Sequence, residues 1–279
     1  MNWTNKHGLP EYLVKWLQTD EYDHIDGTFS ATGLLKPARA VVLSRLHKDE
    51  IVLDVSDVVA SRYGSALHDS FAKLNLGEVQ EHRFEAELDG FRIVGKPDLI
   101  IAGKIIDFKS TSVWKYIYKD YLDFIQQESI YRWLAEENGM EIDGTGEICF
   151  LFTDWAGSKA KFDPDYPQSR CAVESIPLMN EEKVLAFMRS RLLAFMEADI
   201  NLPECTREEL WQKPDKFAVK KIGAKKATKL YDDLEEAENA LQDGQEIEQR
   251  KGLAKRCGYC NASPFCQQRA EMAKEGLLG

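Results

Sequence analysis

Two aspartates and a lysine stand close together in the stretch Gly95-Lys96-Pro97-Asp98-Leu99-Ile100-Ile101-Ala102-Gly103-Lys104-Ile105-Ile106-Asp107-Phe108-Lys109. The apolar runs on either side of Ala102-Gly103 read as two strands joined by a two-residue turn. Such a turn sets Asp98 directly across from Asp107, with Cβ atoms about 5 Å apart. A three-residue loop would displace the pairing by one. Asp107 and Lys109, two apart, share one face of their strand, and Phe108 points the other way, toward the core. Facing carboxylates repel unless something neutralises them. Mg²⁺ or Mn²⁺ does so, since hard cations take carboxylate oxygen. A lysine one strand step away is placed to offset the charge of a scissile phosphate. The bland alternative is two solvated aspartates on an edge hairpin. It sits badly with the apolar Leu99, Ile100, Ile101, Ile105, Ile106 and Phe108 around them.

The elements that must hold these groups follow from periodicity. HRFEAEL, FRIVGKPDLII and KIIDFKS, within residues 82–109, are three expected strands, the first two joined at Asp89-Gly90. That turn puts Glu85 and Glu87 on the Asp98 face, so either is a candidate extra metal ligand. Equally, both are surface acids, with Glu87 across from Arg92. A helix is expected from Tyr121 to Asn138, strands at GEICFLFTDW and CAVESIPL, and a helix over Glu181–Ala198. Residues 10–75 read as mostly helical. Pro10 opens one helix, Ser30 or Thr32 caps a second with Pro37 as an obstacle inside it, and Asp54–Leu74 forms a third. The expected fold is α/β: an N-terminal helical region (1–80), a core with a mixed central sheet flanked by helices (81–200), and a small C-terminal module (201–279).

The run from Gly95 to Lys109 resembles the core of the PD-(D/E)XK nuclease superfamily, in its RecB-like exonuclease branch. Two further motifs of that branch match in order over residues 60–135. One is Gly64-Ser65-Ala66-Leu67-His68, on a helix before the sheet. The other is Gln127-Glu128-Ser129-Ile130-Tyr131, on the helix after it, where an i, i+4 pair shares one face. The resemblance implies a restriction-endonuclease-like core. It implies His68, Asp98, Asp107 and the Phe108 backbone carbonyl as ligands of Mg²⁺ or Mn²⁺, and Lys109 as the catalytic lysine. Gln127 and Tyr131 would position DNA or the lysine. His68 by itself would more often be a helix-surface histidine, but among these motifs it reads as a ligand. The activity implied is hydrolysis of phosphodiester bonds by a metal-dependent DNA exonuclease, in recombination, repair or viral DNA processing. The rival readings are a structure- or end-specific endonuclease and a metal-clamped DNA-binding subunit whose motif is inert. No Walker loop is present, so a helicase would be a separate chain. That helicase, a single-strand-binding protein or a recombinase are the expected protein partners. The expected location is the cytoplasm of a bacterium, for a bacterial or viral gene product.

Cys257, Cys260 and Cys266 follow a C-x₂-C-x₅-C spacing that suits a soft metal site. Cys205, which opens the C-terminal module, is the best fourth ligand. Cys149 and Cys171 sit in strand-like apolar surroundings and read as buried thiols. The spacing resembles the iron–sulfur clamp of AddB-type and CRISPR-associated RecB-like nucleases, which implies a [4Fe–4S] cluster, with zinc as the alternative. In those families the first cysteine precedes the nuclease motifs. Here that region reads Leu35-Lys36-Pro37-Ala38-Arg39, without cysteine.

The 279 residues carry 36 basic and 47 acidic side chains, a formal net charge of −11. This excludes a globally basic coat for nucleic acid but not a local track. Lys213, Lys216, Lys220, Lys221, Lys225, Lys226 and Lys229 interleave with Trp211, Phe217 and Tyr231 on an expected hairpin (KFAVKKIG with KKATKLYDD). Lys216, Lys220, Lys221, Lys225 and Lys226 are candidate contacts to a DNA backbone. The alternative is a solvated face balanced by the acidic run 232–238. No apolar run approaches the ~20 residues of a membrane span, and the N-terminus lacks the layout of a signal peptide.

Overall fold

The computed structural model describes residues 2–19, 27–74, 76–77 and 79–279. They fall into two compact units, one of the described residues within 2–36 and 52–194, the other of 37–51 and 195–279.

The first unit carries strands β1 (Val79–Gln80), β2 (Phe84–Leu88), β3 (Phe91–Gly95), β4 (Leu99–Ile101), β5 (Lys104–Thr111), β6 (Thr145–Phe152) and β7 (Cys171–Pro177). Its long helices are α1 (Val59–Ala72), α2 (Leu122–Glu137) and most of α3 (Glu181–Ala198). A five-stranded mixed sheet has the order β7-β6-β5-β4-β1. The expected turn is present at Ala102-Gly103: both residues have positive φ, 49° and 76°, as a two-residue hairpin of this hand requires. Leu99 therefore pairs with Ile106 and Ile100 with Ile105. Asp89-Gly90 makes the same kind of turn, and Glu87 faces Arg92 as its register predicts.

β5 and β6 run parallel, with Asp107 beside Ile148. Parallel neighbours need a crossover, and α2 supplies it. One end of that helix closes an aromatic core in which Tyr121, Phe124, Phe150, Phe152 and Tyr166 pack with Val113, Ile148 and Ile176. Farther along, α2 comes so close to β3 that a Cβ on Gly95 would lie 2.6 Å from Leu134 Cδ1 and 2.8 Å from the Tyr131 ring. Only glycine admits that approach.

The N-terminal residues are less helical than their periodicity suggests. Helices at Glu11–Gln18, Ala31–Leu34 and Ala38–Leu46 alternate with three-residue strands at Asn2–Thr4, Thr28–Ser30 and Val52–Asp54. Strands so short have no period to read. Thr28–Ser30 joins the edge of a second, three-stranded sheet with β3 and β2. Pro37 breaks the expected helix, which stops at Leu34 and resumes at Ala38. Ser30 caps the first piece, its Oγ accepting from the Gly33 N–H at 3.0 Å.

In the second unit β8 (Lys216–Lys221) lies between β9 (Lys229–Tyr231) and β10 (Gln245–Arg250), all antiparallel. The β8–β9 hairpin was expected, but β10 was not. Its sequence, QEIEQR, has a single apolar residue and so no alternation to detect. Two 3₁₀ turns at Arg256–Tyr259 and Ser263–Phe265 lead into α4 (Gln267–Lys274). Among the described residues no helix is long and apolar enough to cross a membrane.

Candidate active site

The hairpin carries Asp98, one residue before β4, to the level of Asp107 on β5. Asp98 is gripped from two sides: Oδ2 accepts the Phe108 N–H at 2.8 Å, and Oδ1 lies 2.8 Å from His68 Nδ1 on α1. That hydrogen bond raises the pKa of His68 above its ordinary value, against the opposing effect of burial. α1 is seated by Phe71, one turn on from His68, whose ring stacks on Phe108 with centroids 3.9 Å apart. The apolar face of β5 thus fixes the helix that delivers the histidine to its polar face.

Asp107 is 1 % exposed. The Lys109 ammonium donates to its Oδ1 at 2.9 Å and lies 2.7 Å from Oδ2. The same ammonium reaches Gln127 Oε1 at 3.4 Å, and Gln127 Nε2 donates to the Tyr131 hydroxyl at 3.0 Å. Burial pushes the Asp107 carboxyl up to about 6, although Lys109 pulls the other way. Burial also disfavours the Lys109 ammonium, but Asp107 and then Glu128 outweigh it, so the pKa is raised and the cation persists. Tyr131 is pushed well above the usual phenol range by burial and serves as a neutral hydroxyl.

Among the described residues, His68, Glu81 and Asp98 form the one group of three such side chains with donor atoms all within 4.8 Å of one another. Glu81 follows β1, whose Gln80 pairs with Leu99, and its N–H donates to the Asp98 carbonyl at 3.2 Å. Its carboxylate, ion-paired with Lys96, then lies 4.0 Å from His68 Nδ1. Glu85 and Glu87, the sequence candidates for this place, are not there and take the alternative reading of surface acids. Both are exposed on β2, and Glu85 pairs with Arg92 at 3.1 Å. Their register is as expected, but the ladder ends at Gly95, and β4 joins the other sheet. Pro97, with no N–H to continue the ladder, marks the break.

The donors at hand are one imidazole nitrogen and carboxylate oxygens, a set that Mg²⁺ and Mn²⁺ accept. Asp107 Oδ2 is buried and ion-paired with the Lys109 ammonium at 2.7 Å, so a cation would take this oxygen in place of that ion pair. The residues present fit a divalent metal ion.

Cys205, Cys257, Cys260 and Cys266 all belong to the second unit. Gln268 of α4 clamps the Cys205 backbone, accepting from its N–H and donating to its carbonyl, both at 2.9 Å. Burial, then the charge of Glu209, pushes the Cys205 thiol up to about 12, and Cys266 and Cys257 act on it as well. Arg39, which sequence reasoning passed over, donates from Nε to Cys266 Sγ at 3.2 Å and from Nη1 to the Leu202 and Pro203 carbonyls. The cysteines are free, and among the described residues no three of their sulfurs lie mutually within 4.8 Å. Cys149 is half-buried. Cys171 is exposed rather than buried, because it shares with Val173 and Ser175 the face of β7 that none of the described residues covers.

Of the hairpin lysines, Lys216 pairs with Asp232, and Lys220 lies 3.4 Å from Glu246 and 3.6 Å from Glu248 of β10. Lys221, Lys225 and Lys226 are exposed.

No curated protein matches the chain in sequence. Among solved structures it is similar to SSO0001, at 21% identity over 66% of this chain and 84% of that one, with a TM-score of 0.46. It is also similar to a phage-related exonuclease from Haemophilus somnus 129PT, at 16% identity over 63% of this chain and 93% of that one, with a TM-score of 0.39. The sequence model of the PD-(D/E)XK nucleases matches residues 34–267, most of the length and all of the site described above. The chain belongs to the PD-(D/E)XK nuclease superfamily.

Proposed function

We propose that this nuclease is a Mg²⁺- or Mn²⁺-dependent DNA exonuclease of the RecB-like branch. The observation that carries the reading is the pairing of two acids across one hairpin, with His68 held by Asp98 and Lys109 held by Asp107. His68, Asp98, Asp107 and the Phe108 carbonyl would hold the cation, with Glu81 as the additional carboxylate in place of Glu85 or Glu87. A bound divalent cation lowers the pKa of a water ligand and neutralises phosphate oxygen. Lys109 presents a fixed positive charge to the phosphate as charge develops in the transition state. Gln127 aims the ammonium, and Tyr131 orients the Gln127 amide so that its oxygen faces Lys109.

In the second unit, Lys221, Lys225 and Lys226 are the exposed donors for a DNA backbone, while Lys216 and Lys220 are already engaged with acids. Cys205, Cys257, Cys260 and Cys266 would hold a [4Fe–4S] cluster. Four thiolates suit either a [4Fe–4S] cluster or one tetrahedral zinc, and the resemblance to clamped RecB-like nucleases favours the cluster.

The test is digestion of DNA labelled at one end, single- and double-stranded, with Mn²⁺ or EDTA, by wild type and Asp107→Ala. Short products that need metal, a free end and Asp107 are expected. Cleavage of a covalently closed circle would make the protein an endonuclease. No cleavage by anaerobically prepared, cluster-loaded protein would leave a DNA-binding subunit.

A further inference from the structure

Phe124, Gln127, Glu128 and Tyr131 stand at i, i+3, i+4 and i+7 on α2 and so share one face. Three of them already serve Lys109. Its ammonium lies 5.5 Å from the Phe124 ring centroid and 3.4 Å from Gln127 Oε1, and Tyr131 holds Gln127. Glu128 is the exception. Its side chain is wholly buried, and neither carboxylate oxygen has a hydrogen-bond partner. If packing alone mattered here, leucine would serve better, since a buried polar group without a partner opposes folding. Yet Glu128 lies close enough for its charge to act on both Lys109 and Asp107.

The ammonium and a divalent cation compete for one carboxylate. Lys109 lies against both oxygens of Asp107, at 2.9 and 2.7 Å. On the metal-dependent reading above, on which this inference rests, Asp107 must turn those oxygens to the cation. We propose that Glu128 is a positioning residue: a second, buried carboxylate that receives the Lys109 ammonium when Asp107 engages a divalent cation. The exchange keeps the half-buried ammonium paired in both states. Because Glu128 shares its helix face with Phe124 and Gln127, the move would leave the ammonium near both and still aimed at the phosphate.

The test is Mn²⁺ binding to the full chain by calorimetry, for wild type, Glu128→Gln, Lys109→Met, the double variant and Asp107→Ala. Glu128→Gln keeps the volume and removes the charge. It should weaken Mn²⁺ binding about tenfold, a common cost of losing a group that supports a metal ligand. With Lys109→Met no ammonium competes for Asp107, and the same substitution should then cost less than about twofold. Equal affinity of wild type and Glu128→Gln overturns the proposal. So does an equal loss in both backgrounds, which would mean simple attraction between charges. Glu128→Leu repeats the comparison and should raise the melting temperature of the metal-free protein. If neither variant folds, Glu128 is a structural necessity and the proposal fails. Equal binding by wild type and Asp107→Ala overturns the metal-site reading itself, and the exchange with it.

Discussion

The Asp98 carboxylate accepts the backbone N–H of Phe108 at 2.8 Å, which ties one acid of the pair to the strand that carries the other. Asp98 therefore has a structural duty as well as a chemical one, and two substitutions separate them. Asp98→Ala leaves the Phe108 N–H without its acceptor and should cost about 1–3 kcal/mol of stability. Asp98→Asn keeps an oxygen for that N–H and should melt close to wild type. Both should lose Mn²⁺ binding and at least about a hundredfold in cleavage. Urea melts without metal, run beside cleavage assays, check this. Equal stability of the two variants would contradict it.

Gly95 is the point where α2 rests on β3, with no room for a Cβ against Leu134 and Tyr131. Gly95→Ala must push the helix outward, at about 1–3 kcal/mol for an overpacked contact. Because Tyr131 is one of the atoms struck, the Gln127–Tyr131 hydrogen bond should shift as well. The expected result is a lower urea midpoint with a fall in kcat. An unchanged midpoint would mean that α2 moves freely there.

Asp54 accepts from Thr4 Oγ1 at 2.8 Å, Lys6 N at 2.9 Å, and Ser56 Oγ and N at 2.6 and 3.1 Å. The Ser56 hydroxyl and then the Lys6 N–H hold its carboxyl far below the usual range. A depressed folded pKa stabilises the protein above the unfolded value of about 3.9, and the stabilisation is lost as pH falls through the folded value. Asp54→Asn should therefore lower the melting temperature at pH 7, with the gap to wild type closing below about pH 4. A gap that stays constant from pH 7 to pH 3 would show that ionisation plays no part.

The hairpin was legible in the sequence because Ala102-Gly103 suits a two-residue turn between apolar strands; that turn is the one formed, and it pairs the buried Ile100 with the buried Ile105. Glu81 was not legible. A two-residue strand brings it to Asp98, and it holds a positive φ of 50° that its residue type does not announce. Arg39 meets Cys266 across 227 positions, and no local pattern encodes such a contact. Glu128 was hidden in plain view between Gln127 and Tyr131. An acid on a helix ordinarily faces solvent, and only the packing of α2 against the sheet reveals that this one does not.

The paired and exposed lysines of the β8–β9 hairpin make separable predictions for DNA affinity. Each phosphate contact contributes about 0.7 to the slope of log K against log salt for single strands. Lys221→Ala, Lys225→Ala and Lys226→Ala together should lower that slope by up to about 2. Lys216→Ala with Lys220→Ala should change it less, since Asp232, Glu246 and Glu248 already compensate those charges. Filter binding across a salt series decides it. An unchanged slope in the triple variant would remove this hairpin from the DNA path.

The four C-terminal cysteines allow a test that does not depend on cleavage. Protein purified anaerobically should carry about four irons with matching acid-labile sulfide, and Cys205→Ser should lose them. One zinc per chain without sulfide would replace the cluster with a structural zinc. Arg39 sharpens the distinction, because its Nε donates to Cys266 Sγ without being a ligand. A hydrogen bond to a cluster thiolate stabilises the reduced, more negative state. Arg39→Ala should therefore keep the iron and lower the reduction potential. Zinc has no redox step for the arginine to tune, so loss of metal without any electrochemical signal would place Arg39 among the residues that merely hold the Leu202–Pro203 segment in place.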